Sequence, residues 1–263
     1  LAPLGMERSG CDYRRPGLDE NASVLYKKRN GVMEASRDYY DNAFALGGAG
    51  SMKSTIADMK QILSMYLNHG KGQNGARILS MEGIMAMCRP RIEYRPESFY
   101  CYGLATKMLD DLTVVEHGGS LTGVSSNLSW SYGAGAGVVV LCNTSDVPVS
   151  VIADAAMRMY HGRNPIEDRS VYTENPWTET TRKEACGRYV SKEGTEVEIQ
   201  NRDGGAVVLV DGQEKPFVMV QECLGIVRGY IKDAYLKLFK DADGHVFAVG
   251  YGGRMLPRVR EQE

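Results

Sequence analysis

The chain has 263 residues, of which 43% are hydrophobic and 24% charged. These values fit one large globular domain or two of ordinary size, and they exclude disorder or a fibrous repeat as a description of the whole. Lysine and arginine total 31 against 33 acidic residues, a formal net charge of -2, and no run of like charge exceeds Lys27-Lys28-Arg29, so nucleic acid and anionic membrane are not expected partners. No stretch approaches the roughly 18 uninterrupted apolar residues of a spanning helix, so no membrane span is expected.

The sequence opens Leu1-Ala2-Pro3-Leu4-Gly5-Met6, without an initiator methionine or the basic and apolar regions of a signal peptide. It reads as cut from a longer protein, and its residues leave the localisation unassigned. Cys11, Cys88, Cys101, Cys142, Cys186 and Cys223 show neither C-x-x-C nor Cys/His ligand spacing, so neither metal nor cofactor is expected. Most read as buried thiols, with a disulfide left open. Eleven of the 13 methionines precede Tyr160, so the two parts of the chain have different cores. Between them lies a stretch with Pro165, Pro176 and unpatterned charge. The expected division is residues 1–162, a linker over 163–182, and residues 183–263.

In chain order, Ser54 or Thr55 can cap a helix in which Asp58 reaches back to free amides. Ile56, Met59, Ile62, Leu63, Tyr66 and Leu67 then share one face, and Asn68-His69-Gly70 ends it. A second helix follows Ser80, with Ile84, Met85 and Met87, and stops before Pro90. Four strand-like runs follow, Tyr100–Met108, Thr113–His117, Val124–Ser131 and Gly137–Asn143, in the order of a meander. The continuous Val138-Val139-Val140-Leu141 predicts a strand covered on both faces. Val149, Ile152, Ala153, Ala156 and Met157 predict a closing helix. From Gly187 onward, short strands separated by turns such as Asp203-Gly204-Gly205, Asp211-Gly212 and Asp241-Ala242-Asp243-Gly244 predict an antiparallel barrel or sandwich. The last of these turns lacks the closing glutamate of a calcium loop and reads as a hairpin.

The stretch richest in chemistry is Glu116-His117-Gly118-Gly119-Ser120-Leu121-Thr122-Gly123, expected as a strand end running into a glycine-rich turn. Glycine lets a ligand approach the backbone, and a free N–H at Gly119 or Ser120 could stabilise an oxyanion. His117 could donate to a substrate carboxylate or polarise a leaving group. His69, His161 and His245 read as structural or solvated, Trp130 as a packing residue, and Trp177 as a packing residue that could pin two domains together.

Taken in order, the motifs resemble the serine β-lactamase and penicillin-binding-protein family, especially its class C and esterase-like branch. Leu1 to Met6 resembles the family's P-L-G-M turn, and Gly50-Ser51-Met52-Lys53-Ser54-Thr55-Ile56-Ala57-Asp58-Met59 its G-x-x-S-T-x-x-D-M helix start. Tyr102-Gly103-Leu104-Ala105 resembles its Y-G-L-G strand, His117-Gly118-Gly119 its third catalytic motif, K-T-G or H-x-G, and Gly137 to Asn143 the strand that follows. The resemblance covers about residues 1 to 160. It implies an α+β fold: the C-terminal part of a β-lactamase/transpeptidase-like domain, an antiparallel sheet with flanking helices. Gly187-Arg188-Tyr189-Val190 resembles the G-x-Y opening of the lipocalin-like barrel appended to related hydrolases, which implies a small antiparallel β-barrel after it.

The resemblance gives His117 the place of the lysine or histidine that binds a substrate carboxylate, and makes Gly119 and Ser120 site residues, Ser120 through an oxyanion-hole N–H. Gly118, in the substrate-binding position, replaces the usual threonine and removes one hydroxyl contact, which puts β-lactam or D-amino-acid recognition in doubt. Asn143 is a further substrate-binding candidate at a strand end, where it reads equally as a residue leading into a loop. The family's nucleophile is the serine of S-x-x-K, and no serine here has lysine three residues later. Tyr40-Asp41-Asn42 spells the second motif, Y-x-N, but follows the P-L-G-M turn and reads as a decoy.

The resemblance therefore implies part of a serine hydrolase acting on a small amide or ester, inactive alone and partnered by the missing N-terminal half of its domain. The family also suggests an extracytoplasmic location. Two other readings stay open, a non-catalytic binding or sensor module and one fragment of a nicked protein. The family's first two strands would lie beside Gly137–Asn143, so their absence exposes an apolar edge. A homodimer, a rearrangement or a retained fragment would cover it.

Overall fold

Leu128 and Trp130 alternate with Asn127, Ser129 and Ser131, and in a computed structural model of the chain residues 112–121, 124–131 and 136–142 lie side by side in one antiparallel sheet. The structure describes residues 1–12, 19–29, 32–39, 47–95, 97–145, 147–166, 172–192, 194–229 and 233–259. Two units are distinguished, Leu1–Glu93 with Glu97–Glu167, and Asp168–Glu263 with Tyr94–Pro96. Tyr40-Asp41-Asn42 lies outside the described residues.

The first unit begins with a hairpin, β1 (Leu25–Arg29) and β2 (Val32–Ser36). Helices α1 (Ile56–Leu67) and α2 (Met81–Cys88) follow. Strands β3 (Ile92–Arg95), β4 (Ser98–Tyr100), β5 (Ala105–Leu109), β6 (Leu112–Leu121), β7 (Val124–Ser131) and β8 (Ala136–Cys142) then lie side by side in chain order, and α3 (Val149–Tyr160) closes the unit. Short loops force this meander, because a two- or four-residue connection can only return a strand antiparallel to its neighbour.

Side chains alternate between the two faces of the sheet. On one face Trp130 stacks on Tyr66 of α1, ring centroids 4.2 Å apart, in a core shared with Ile84 of α2. On the other face Leu109 and Val114 pack with Met157 of α3. Gly137 makes the first contact possible: a Cβ there would lie 2.4 Å from Leu63 Cδ1 and 2.8 Å from the Ser129 carbonyl oxygen, so only glycine lets α1 approach β8 this closely.

The α1 cap differs from the expected box. Thr55 Oγ1 accepts from the Asp58 amide at 3.2 Å, but the buried Asp58 carboxylate turns towards the start of the chain. It accepts from the Arg8 amide at 2.9 Å and Ser9 Oγ at 2.7 Å, and Ser9 Oγ lies 2.7 Å from Ser54 Oγ. The P-L-G-M segment and the helix start are thus clamped together by one carboxylate. Ile56 and Ile152, both expected on buried faces, are exposed: Ile56 is the first residue of α1, and Ile152 lies off the side of α3 that buries Val149, Ala153 and Met157. The run Tyr100–Met108 is broken by a loop at Cys101–Leu104, closed by a 2.7 Å bond from the Cys101 amide to the Leu104 carbonyl. β8 is only half-buried, with Leu141 exposed, because it is the last strand of the sheet.

A charged cluster lies between the sheet and α3. Lys107 of β5 donates to Glu116 Oε2 on β6 at 2.9 Å and to Asp154 Oδ2 on α3 at 2.8 Å, and Asn127 Nδ2 of β7 donates to Glu116 Oε2 at 3.3 Å. Nearby, Arg158 of α3 bonds Asp110 in the β5–β6 turn at 3.1 and 3.2 Å and holds its carboxyl below the usual range.

The second unit opens with helix α4 (Glu179–Ala185), capped by Thr178. Strands β9 (Gly187–Val190), β10 (Glu196–Arg202), β11 (Gly205–Val210) and β12 (Gln213–Lys215) form one antiparallel sheet. Strands β13 (Phe217–Gln221), β14 (Leu224–Val227), β15 (Ala234–Lys240), β16 (Val246–Tyr251) and β17 (Arg254–Pro257) form a second. Both contribute to one core around Trp177, Tyr189, Val197, Leu236 and Leu256. A single bridge, Tyr189 to Arg258, links β9 to the residue after β17, and no single closed sheet forms among the described residues. Burial pushes the Tyr189 hydroxyl up to about 12, and the hydroxyl donates to the Ala185 carbonyl at 2.7 Å.

Within the stretch expected as linker, residues 163–166 and 172–182 are described. Trp177 is buried in this core, and its Nε1 donates to the Gln221 and Leu224 carbonyls at 2.9 and 3.1 Å. The indole and α4 therefore belong to the second unit, and Trp177 packs within it. The Asp241 turn is a side-chain-capped hairpin, with Asp241 Oδ1 accepting from the Asp243 and His245 amides.

Lys107→Met should destabilise the first unit by about 3–5 kcal/mol, because it leaves two carboxylates buried without their cation. Adding Glu116→Gln should recover part of that loss in a double-mutant cycle followed by urea unfolding. Trp177→Ala should cost the second unit about 3–5 kcal/mol through an unfilled cavity, read by hydrogen exchange at β13 and β14.

Candidate functional site

The stretch around His117 is strand throughout. β6 continues to Leu121, and its last residues pair with β7: His117 with Leu128, Gly118 with Asn127, Gly119 with Ser126, Ser120 with Ser125 and Leu121 with Val124. The expected glycine-rich turn is therefore corrected to a strand end, and the reversal falls on Thr122-Gly123. Two glycines in succession do not break the ladder, because the hydrogen bonds and β7 hold the backbone extended.

β5 covers less of β6 than β7 does. Its pairing stops at Ala105 opposite Glu116, so His117 to Leu121 have no β5 partner on their outer side. Two-residue hairpins place a hydrogen-bonded pair next to the turn, here Leu121 and Val124, and antiparallel pairs then alternate. By that alternation His117 and Gly119 bond towards β7, whereas Gly118 and Ser120 direct their backbone groups to the open edge. Of the two amides considered from the sequence, the one presented outward is that of Ser120.

The His117 side chain projects to the face that carries Val115, Gly119 and Leu121. It is exposed, and its Nε2 lies 3.4 Å from Tyr100 Oη, with the rings edge-to-face at 6.3 Å. The short helical turn Gly47–Gly50 approaches the same end of β6, since a Cβ on Gly50 would lie 3.5 Å from Leu121 Cδ1. The two site glycines differ in what confines them. A Cβ on Gly119 would lie 2.8 Å from Ser126 Oγ, so a side chain there would require Ser126 to move. A Cβ on Gly118 would meet the Ser126 carbonyl oxygen at an ordinary 3.4 Å.

Beneath this exposed strip lies the Lys107–Glu116–Asp154 cluster. Glu116 immediately precedes His117 and points to the opposite face, so the ion pairs fix the strand where the histidine leaves it. Neither this cluster nor Tyr100 stood out in the sequence. Tyr100 lies 17 positions from His117, and only the β4–β5–β6 meander brings the two together.

Asn143 is placed differently from the other candidates. Its Nδ2 donates to the Val24 carbonyl at 2.8 Å, and its own carbonyl accepts from the Tyr26 amide at 2.8 Å. With the Tyr26–Thr144 bridge, these bonds dock β1 beside the end of β8. Asn143 ties backbone segments together, two strands from Ser120. The β1–β2 hairpin it holds was not expected, although Asn30-Gly31 spells a hairpin signal. His69 stacks on Tyr132 with centroids 5.2 Å apart, in a recess lined also by Ser64, Leu67, Asn68 and Gly135. His161 caps α3 through its amide.

No protein-family model matches the chain, and no curated protein matches it. Solved structures do. The octameric penicillin-binding protein homologue from Pyrococcus abyssi matches 97% of this chain and 57% of its own, at 20% identity and a TM-score of 0.55. SurE matches 98% of this chain and 61% of its own, at 19% identity and a TM-score of 0.69. A structure of SurE with D-Leu matches 95% and 61%, at 18% identity and a TM-score of 0.60. The chain thus spans about three fifths of the length of these neighbours. At such identities the likeness is one of fold, and over that span the chain has the β-lactamase/transpeptidase-like α+β fold of penicillin-binding-protein homologues.

Proposed function

We propose that these residues form part of a serine hydrolase that cleaves a small amide or ester through an acyl-serine intermediate. The observation that carries this reading is the edge of β6 at Gly118 and Ser120, which no strand among the described residues pairs with, beside the exposed His117, in a fold shared with penicillin-binding-protein homologues. An extended substrate can hydrogen-bond such an edge as an added strand. The Ser120 amide then serves as a preorganised donor for the negative charge that develops on the carbonyl oxygen. His117 lies on the same strip, with Tyr100 orienting its ring, and binds a substrate carboxylate or the leaving group.

The nucleophile and its base come from outside these 263 residues in this reading, since no serine here has lysine three positions on. The partner is the remaining part of the same hydrolase domain, and it also covers the bare edge of β8. The chain alone would be inactive. The substrate classes to screen are β-lactams, D-amino peptides and small esters, and one neighbour solved with D-Leu supports including the second. The second unit is proposed to be a lipocalin-like barrel. The missing serine–lysine pair equally suits a binding module, and labelling separates the two. A fluorophosphonate or fluorescent β-lactam probe should label the full-length protein and not this chain. A full-length protein without an S-x-x-K serine, labelled by neither probe, would favour the binding module.

His117→Ala in the full-length enzyme should lower turnover on the order of 10²-fold, and unchanged acylation and turnover would remove His117 from the site. A Cβ at Gly118 meets no atom closer than 3.4 Å, and threonine suits a strand, so Gly118→Thr is the substitution to make. It should fold normally and raise the acylation rate with a β-lactam probe, because it restores the hydroxyl that β-lactam recognition lacks.

A further inference from the structure

Two thiols lie where α2 ends against the β4–β5 loop. Cys88 is the last residue of α2, and Cys101 is the first of the loop. The Tyr102 amide donates to the Met87 carbonyl at 3.0 Å, so the residue after the acceptor, Cys88, and the residue before the donor, Cys101, flank one backbone hydrogen bond. That bond joins the end of α2 to the start of the loop one residue away from each cysteine; a disulfide needs Cα atoms about 4.4–6.8 Å apart. Both side chains enter the same apolar cluster, Cys101 buried within it beside Tyr66 and Trp130, and Cys88 packed against it. The thiols sense one another: burial first, and the neighbouring Cys101 second, push the Cys88 thiol up to about 11. Both are free thiols.

We propose that Cys88 and Cys101 are a dithiol pair that oxidises to an internal disulfide, stapling α2 to the β4–β5 loop, with a low-molecular-weight disulfide as oxidant. The Cys88 thiolate attacks one sulfur of that disulfide, forming a mixed disulfide and releasing one thiolate. The Cys101 thiolate then attacks the Cys88 sulfur and releases the second. The protein loses two protons and two electrons, and the small disulfide is reduced to two thiols. Because a poorly acidic thiol is little ionised at neutral pH and is also a poor leaving group, the staple forms slowly and is slow to be reduced. Its consequence is positional. The loop follows directly on Tyr100, whose hydroxyl faces His117, so oxidation fixes the backbone that carries Tyr100. The pairing does not rest on the hydrolase reading.

The folded chain is incubated with oxidised glutathione at mildly alkaline pH, its remaining thiols are alkylated, and it is digested without reduction for peptide mass mapping. The expected product is one linked pair of peptides containing Cys88 and Cys101, two hydrogens lighter than their sum and separated by reductant, with a higher Tm than the reduced chain. Cys88→Ser should instead leave Cys101 alkylated or joined to glutathione, and Cys101→Ser should do the same to Cys88. The wild-type map decides the matter even where a variant fails to fold. The proposal is overturned if, in the folded wild-type chain, the two cysteines are recovered alkylated, separately joined to glutathione, or linked to other cysteines.

Discussion

The first unit depends on a lysine held between two carboxylates. Lys107, Glu116 and Asp154 come from β5, β6 and α3, and Asn127 adds β7, so one charge cluster spans three adjacent strands and the helix above them. A buried ion is tolerated only when its partners and hydrogen bonds are in place. The cluster therefore specifies geometry more than it adds stability: α3 must lie where Asp154 meets Lys107, and β5 must pair with β6 in the register that puts Lys107 beside Glu116. Apolar packing alone would accept neighbouring registers at smaller cost. The charges do not.

That register has an effect one residue further along the chain. With Glu116 turned inward, the period of the strand turns His117 outward onto the opposite face. With β5 ending at Ala105, the backbone beyond Glu116 loses its neighbour. An exposed histidine, a flanking tyrosine and an uncovered strand edge thus arise from one pairing, and the glycines at 118 and 119 leave that edge open to a ligand. Open edges are a liability in isolated domains; among the described residues no strand pairs with the end of β6 on its outer side or with the outer edge of β8 over Ala136–Cys142. The first suits a small extended substrate, and the second suits a further piece of sheet.

The second unit shows the same division between pattern and packing. Alternation marks most of its strands, and the paired turns mark its hairpins. Trp177 lies between prolines and charges, in a stretch with no periodicity, yet the pocket it fills is formed by residues more than 40 positions later, whose carbonyls accept its N–H. A lone aromatic in an irregular segment carries no local sign of where it packs.

Sequence alone determined what is local or periodic: helices beginning after Ser54 or Thr55 and after Ser80, the meander of the first unit, the short strands of the second, and the ordered motifs that single out His117 and its glycines. These are legible because a 3.6- or 2-residue period, a capping side chain or a turn glycine acts within a few residues. Tertiary structure decided what depends on partners far along the chain. The glycines stay extended because β7 pairs with them, the break after Tyr100 comes from a loop bond, and Asp58 turns to Arg8 and Ser9. Asn143 holds Val24, and Tyr100 meets His117 across the sheet. A hydrogen-bond donor or a buried charge accepts whichever partner the assembled fold brings within about 3 Å, and no local pattern records which one that is.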